Sequence, residues 1–368
     1  MRQVAATIER MPVPTWRRLH VNEAEVVLRQ PDRLSGDGGT AIRASGQIEI
    51  KNDVGSPDFG RELEKLFTSA EIQNFIDESA NLRHFIRIPR NHAEKEPIVL
   101  SLWLGAESPV LTDDLVIEAE EGSRAVVILE YTSESGLPVQ HCGRTRVFLR
   151  PNADLKLVKV QMLNEKAAHT DFIGGVAEKG ARLEVILAEL GAARPLSDCN
   201  LILKGEGAAT ELDVVYLGDG QRSLDLSCRV EHRGRKTVSK ICGKGILLEK
   251  SRKVFRDTLD FIRGSSGSKG REEESVLMLD PRVKNVSAPL LLCGEDDVEG
   301  EHATSSGRPD DKILFYLMSR GIGELEARKL LAQAAVSSVI EKIPEERIRE
   351  KILGSLRESI ERGGKQDE

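Results

Sequence analysis

The chain has 368 residues, 39% of them apolar and 31% charged, with a formal net charge of −7. That balance describes an ordinary soluble protein with room for two or three structural units, and the sequence carries no basic stripe of the length that nucleic-acid binders usually show. No run of about 18 apolar residues is present to cross a membrane, and the opening MRQVAATIERMPVP lacks a signal-peptide apolar region, so a cytoplasmic protein without membrane or nucleic-acid partners is expected.

Aromatic residues make up only 4% of the chain, so its core has to be built from Val, Ile, Leu and Ala. Thin stacked strands suit that composition better than a bulky globular centre. The five cysteines (Cys142, Cys199, Cys228, Cys242 and Cys293) are scattered without a CxxC pair, and in a reducing compartment each is expected to be a small buried apolar residue.

Residues 1–95 form an interrupted, partly helical region. Two prolines and a tryptophan occur in MPVPTWRRL, and SPDFGRELEKLFTSAEIQNFIDESA has amphipathic spacing. Leu63, Leu66 and Phe67 recur at helical intervals. Ser69 can cap a further helix that carries Ile72, Phe75 and Ile76 on one face. The short basic run RHFIRIPR reads as a solvated turn.

From EPIVLSLWLG onward, residues 96–304 are a succession of short alternating runs. EGSRAVVILEY, PNADLKLVKVQML, EKGARLEVILAEL and EGAATELDVVYL each pass from a turn into a strand. Their turn residues Gly122, Asn152, Gly180 and Gly207 lie 27–30 positions apart, a spacing typical of stacked repeats. One such run cannot bury its own apolar face, whereas stacking each on the next gives a continuous narrow core. The reading is mainly β, a β-solenoid or a sandwich of stacked strands. GSSGSKGREEES, residues 264–275, reads as a flexible surface loop. The runs SVLML and PLLLC read as late strands able to pair across a protomer interface.

Residues 305–368 form a module of three helices. In DDKILFYLMSRG, Asp310 or Asp311 caps the helix and Gly321 stops it. GELEARKLLAQAAVSSVIEKI carries Leu325, Lys329, Ala332 and Val336 at helical spacing. PEERIREKILGSLRESIERGG has Pro344 in its first turn and Gly363 past its end. Leu330, Leu331, Val339, Ile340, Ile348, Ile352 and Leu356 give this module more apolar surface than it needs for itself, which leaves part of it for a partner.

Hydrolase signatures, a phosphate-binding loop and a dinucleotide fingerprint are absent from the sequence. A carboxylate pair of a β-helical carbohydrate-active enzyme is not singled out by any pattern. His302 differs in kind. It lies between the last β-type run and the helices, with Glu299 and Glu301 beside it, so it can ligate a metal with a carboxylate partner or simply close the end of the solenoid. Cys293, in PLLLCGEDD, has the pattern of a buried strand.

The stretch EDDVEGEHATSSGRPDDKILFYLMSRGI, residues 295–322, resembles the C-terminal signature of the SufB/SufD family, scaffold proteins of the SUF iron–sulfur cluster assembly system. Asp296, Asp297, Val298, His302, Thr304, Gly307, Arg308, Phe315, Tyr316, Ser319, Arg320 and Gly321 carry the resemblance. KGILLEKSRKVFRDTLDFIRGSSGSKG and MPVPTWRRL are also similar to family segments. The resemblance implies a right-handed parallel β-helix flanked by helical segments. It also implies pairing with a SufB-like or identical protomer, and binding of a SufC-like ABC ATPase by the C-terminal helices. The expected cargo is a transient iron–sulfur cluster; whether a flavin joins the complex is left open. The SufD-like branch fits better, because Ala303 follows His302 and residues 243–292 contain no cysteine. In this light the candidate cluster site is His302 as an iron ligand, with Glu301 as partner and Cys293 as a weaker candidate. No catalytic residue is expected, and the function is that of a non-enzymatic scaffold. A purely structural adaptor that recruits the ATPase is the alternative, besides the carbohydrate-active enzyme.

Overall fold

The computed structural model describes residues 2–9, 11–14, 21–30, 40–52 and 69–364. The helix expected around Leu63, Leu66 and Phe67 and the tryptophan of MPVPTW lie outside these residues. Strands β1 (Arg2–Glu9) and β2 (Glu23–Gln30) form an antiparallel pair, followed by the short β3 (Ala41–Arg43) and β4 (Glu49–Asn52). Helix α1 (Ala70–Ser79) begins where the sequence places it. The Ser69 hydroxyl accepts from the Ile72 amide, and Ile72, Phe75 and Ile76 are buried.

Sixteen strands then wind as one solenoid. They are β5 (Leu82–Ile88), β6 (Ile98–Leu104), β7 (Val110–Ala119), β8 (Arg124–Ser133), β9 (Gln140–Leu149), β10 (Asp154–Met162), β11 (Ala168–Ala177), β12 (Arg182–Glu189), β13 (Arg194–Leu203), β14 (Ala209–Gly218), β15 (Ser223–His232), β16 (Val238–Leu247), β17 (Arg252–Phe261), β18 (Ser268–Met278), β19 (Lys284–Cys293) and β20 (Val298–Gly307). Even-numbered strands stack in parallel on one sheet and odd-numbered strands on the other. Each nine-stranded sheet includes one antiparallel strand at its first edge, β3 or β4, which leaves eight parallel strands per sheet and eight turns of solenoid.

The repeat in the sequence is the rise from one turn to the next. Asp154 pairs with Arg124 on one side and with Arg182 on the other, so Leu155 and Leu157 stack between Ala125 and Val127 below and Leu183 and Val185 above. All of these lie in one continuous apolar core between the sheets. The turn residues form a second ladder. Gly122, Asn152, Gly180 and Gly207 all have positive φ. Each donates its backbone N–H to a carbonyl of the next turn, at 2.9–3.0 Å. At Gly180 a Cβ would lie 2.6 Å from Asn152 Oδ1, so both the left-handed backbone and the close approach call for glycine there.

Three local expectations give way to this winding. RHFIRIPR is not a solvated turn but mostly strand β5, with His84, Phe85, Ile86 and Ile88 buried. Residues 264–275 are not a loop beyond the 264–267 turn. From Ser268 onward they are strand β18, whose acidic residues alternate between the core and solvent. SVLML belongs to that same strand, which pairs within the chain to β16 and β20 and offers no free edge. Among the described residues the last turn is left open instead: β19 pairs only with β17, and β20 only with β18.

Helices α2 (Asp311–Ser319), α3 (Glu324–Ile340) and α4 (Glu346–Gly364) close the chain. Asp310 caps α2 by accepting from the Lys312 amide at 2.8 Å, and Gly321 follows with φ +86°. Gly363 lies inside α4, not past it. α3 and α4 lie on the outer face of the even-strand sheet. Val336, Ile340, Ile348, Ile352 and Leu356 join Ile128, Val158, Ile186 and Val215 in one buried cluster. Their surplus apolar surface is therefore spent on the chain's own sheet. α2 differs, because it buries none of its residues.

Candidate functional site at the open end of the solenoid

His302 sits in the middle of β20, in register with Glu272 of β18. In-register neighbours in a parallel sheet share a face. The inner face of β18 carries Glu272, Glu274 and Val276, so His302 and Thr304 lie on the inner side of the last turn. His302 is exposed, and among the described residues no further turn covers it. Glu301 alternates to the outer face, in register with the exposed Arg271, and Glu299 pairs with Lys269 at 2.8 Å on that same face. Glu301 is thus not on the side of the strand that His302 uses.

Below His302, the preceding turn has an acidic floor. Asp257 of β17 and Glu272 are both buried there, at 2% and 1% exposure. Burial and, secondarily, the Asp257 charge push the Glu272 carboxyl up. Burial and then the Glu274 charge do the same to Asp257. Among the described residues no side chain donates to either oxygen of Glu272, which meets only the Leu259 backbone N–H. Glu274 is by contrast fully engaged, accepting from Tyr216 Oη at 2.6 Å and from Lys253 Nζ and Ser287 Oγ. Lys253 also donates to the Val286 carbonyl at 3.2 Å and reaches Ser287 Oγ at 3.1 Å. Among the described residues, no three His, Cys, Asp or Glu side chains converge to hold a metal ion as they stand.

Residues 102–335 match the SufBD core domain of SUF system FeS cluster assembly. The chain belongs to the SufBD family. It is 24% identical over 279 residues to the iron–sulfur cluster assembly protein SufD of Bacillus subtilis, covering 75% of this chain and 64% of that protein. It is 24% identical over 268 residues to the SufBD family protein SSP1857 of Staphylococcus saprophyticus, and 23% identical to SH2035 of Staphylococcus haemolyticus. Each of these alignments covers 71% of this chain and 57% of the relative. The chain thus spans less than two thirds of the length of these relatives.

The fold separates the candidate residues of this SufBD chain. Cys293 ends β19 and is exposed, not part of a buried strand; the other four cysteines are buried, as expected. Its place is beside the turn into β20, whereas His302 is the fifth residue of that strand. Four residues of strand span about 13 Å. Glu272 escaped the sequence reading because its segment looked like a loop. The signal that finds it is the spacing: 30 residues before His302, one full turn of the repeat.

A second polar group, also unforeseen, lies sealed inside the solenoid. Asp113 accepts from Tyr131 Oη and meets His141 Nε2, both at 2.8 Å, and His141 Nδ1 is 2.8 Å from His169 Nδ1. Lys159 bonds Asp171 and Thr145, and Ser197 donates to Glu189. At Gly143 a Cβ would lie 2.3 Å from Asp113 Oδ1, so the group needs glycine at that rung. Its hydrogen bonds join the turns of the solenoid to one another, and only Nε2 of His169, 3.8 Å from Glu189, is left without a bond among the described residues.

Proposed function

We propose that this chain is a SufD-like, non-enzymatic scaffold component of SUF iron–sulfur cluster assembly, with a transient cluster as its cargo and His302 as a ligand at the protomer junction. The observation that carries the reading is the open last turn. Among the described residues two neighbouring strands, β19 and β20, present unpaired edges, and edges of this kind are normally covered or paired. A SufB-like protomer or a second copy of the chain supplies that cover, and His302 on the inner face then lies at the junction. The solenoid is taken as right-handed and the setting as cytoplasmic. No helix of the described residues is long and apolar enough to cross a membrane.

The ABC-type ATPase of the system docks on α2 and the start of α3. Phe315 is 74% exposed and Tyr316 56%, with Ile313, Met318, Leu325 and Leu330 also exposed around them. An apolar helix face of this kind fits a groove on a partner. The family resemblance leaves open whether a flavin joins the complex. No observation favours a carbohydrate-active enzyme. A purely structural adaptor would recruit the ATPase but be indifferent to His302.

Co-expression with the ATPase and a SufB-like chain, followed by mass measurement of the purified complex, tests the reading. A complex containing both partners is expected. A chain that stays monomeric in the presence of both contradicts it.

A further inference from the structure

The floor beneath His302 holds a carboxyl to which the described residues give no cation and no side-chain donor. Glu272 is 1% exposed, and among the described residues no side chain donates to either of its oxygens; the Leu259 backbone N–H is the polar group that bears on it. A buried polar group in that state costs stability, and it persists where something else completes it. Its neighbours show the contrast. Glu274, two residues along the same face, is bound by Tyr216, Lys253 and Ser287. Among the described residues no cation pairs with Glu272, although Lys253 reaches Glu274 one step away.

The direction in which Glu272 is incomplete is set by the register. The turn below it is filled by side chains, whereas the turn above it is the last, with His302 directly over it and exposed. Asp257 supplies a second buried carboxyl facing it from the other sheet. Two hard oxygen donors and one imidazole suit a divalent first-row metal ion, ferrous iron included. They do not suit a sulfur species, which a carboxylate would repel. The three groups do not converge as they stand, and the exposed imidazole of His302 has to turn inward over the carboxyls to complete the set.

We propose that Glu272, with Asp257 beside it and His302 above it, is the ligand that takes up a divalent metal ion at the open end of the solenoid, and that Glu301 is not part of this site. The inference rests on reading that end as the place where the cluster is assembled, and it names the residues through which the metal half of the cargo enters. Coordination displaces the carboxyl proton and metal-bound water to solvent, and no other bond is made or broken.

Equilibrium titration of the full chain with Co2+ under anaerobic conditions, followed by its visible absorption, tests the site without any assembly reaction. One ion per chain is expected. Glu272→Gln and His302→Ala are each expected to weaken binding at least about tenfold, and Glu301→Gln to leave it unchanged. Should the amide variant not fold, Glu272→Asp keeps a carboxylate but withdraws it by one methylene, and a changed affinity and absorption are expected. Co2+ binding that is unaltered in the Glu272 variants, or absent from the wild-type chain, overturns the inference. If Glu272→Gln assembles clusters as well as wild type in the complex while His302→Ala does not, this inference falls and the proposed function stands.

Discussion

Arg347 of α4 places Nη2 2.7 Å from Oε2 of Glu130 in β8, across 217 residues of sequence. Lys351, one helical turn later, binds the other oxygen of the same carboxylate. Glu130 is 3% exposed at its side chain, so these two cations are what let a charge sit at that depth. Removing both, in Arg347→Ala with Lys351→Ala, should lower stability by about 1–3 kcal/mol, read from chemical denaturation. Glu130→Gln in the same background should restore part of the loss, because it removes the stranded charge.

The same interface decides what truncation does. α3 and α4 cover Ile128, Val158, Ile186 and Val215 on the outer face of the even-strand sheet. Deleting residues 323–368 should therefore not yield a tidy solenoid lacking only its partner site. It should expose that sheet and give an aggregating or poorly cooperative protein, visible as a broadened thermal transition and binding of an apolar dye.

A milder change isolates the partner surface. Phe315→Ser with Tyr316→Ser alters two exposed residues of a helix that buries none. Stability should stay within about 0.5 kcal/mol of wild type. Retention of the ATPase in co-purification should be lost. Undiminished retention would move the docking surface elsewhere.

Glu189 gives a pH dependence with a definite sign. Its fully buried carboxyl is raised from 4.5 to about 7, chiefly by burial, with the Asp171 charge adding to it and Ser197, Lys159 and Gln161 opposing. His169 is also near, at 3.8 Å. The native state therefore holds this proton above the pH at which the unfolded chain releases it. The contribution to stability is intact below about pH 4.5 and lost as pH rises through about 7, a change of roughly 3 kcal/mol. Glu189→Gln stays neutral throughout. Its stability relative to wild type should rise by about that amount between pH 4.5 and 8, with little further change above.

Much of the solenoid was legible because one physical constraint writes itself repeatedly. Each turn needs a left-handed corner and an alternating strand, so Gly122, Asn152, Gly180 and Gly207 mark the period and the Leu and Val positions mark the inner face. Helices with caps were equally readable, as Ser69 and Asp310 show. What stayed hidden was polar burial. Glu272 and Glu274 face the core, yet their segment is rich in Gly, Ser and charge and carries a loop's composition. Composition cannot report that a lysine and a tyrosine from other turns await one of those carboxylates. The side of a strand on which a residue lies is likewise a matter of register. Glu301 is adjacent to His302 in sequence and opposite to it in space, whereas Glu272 is 30 residues away and directly beneath.

The exchange His302→Ala in the complex with the ATPase and a SufB-like partner is the measurement that reaches the proposed function most directly. His302 is exposed in the free chain, so the variant should fold, pair and hold the ATPase as wild type does. Cluster formation in the reconstituted complex should fall. Assembly at the wild-type rate by a properly paired variant would contradict the assignment and make His302 a residue that merely ends the solenoid.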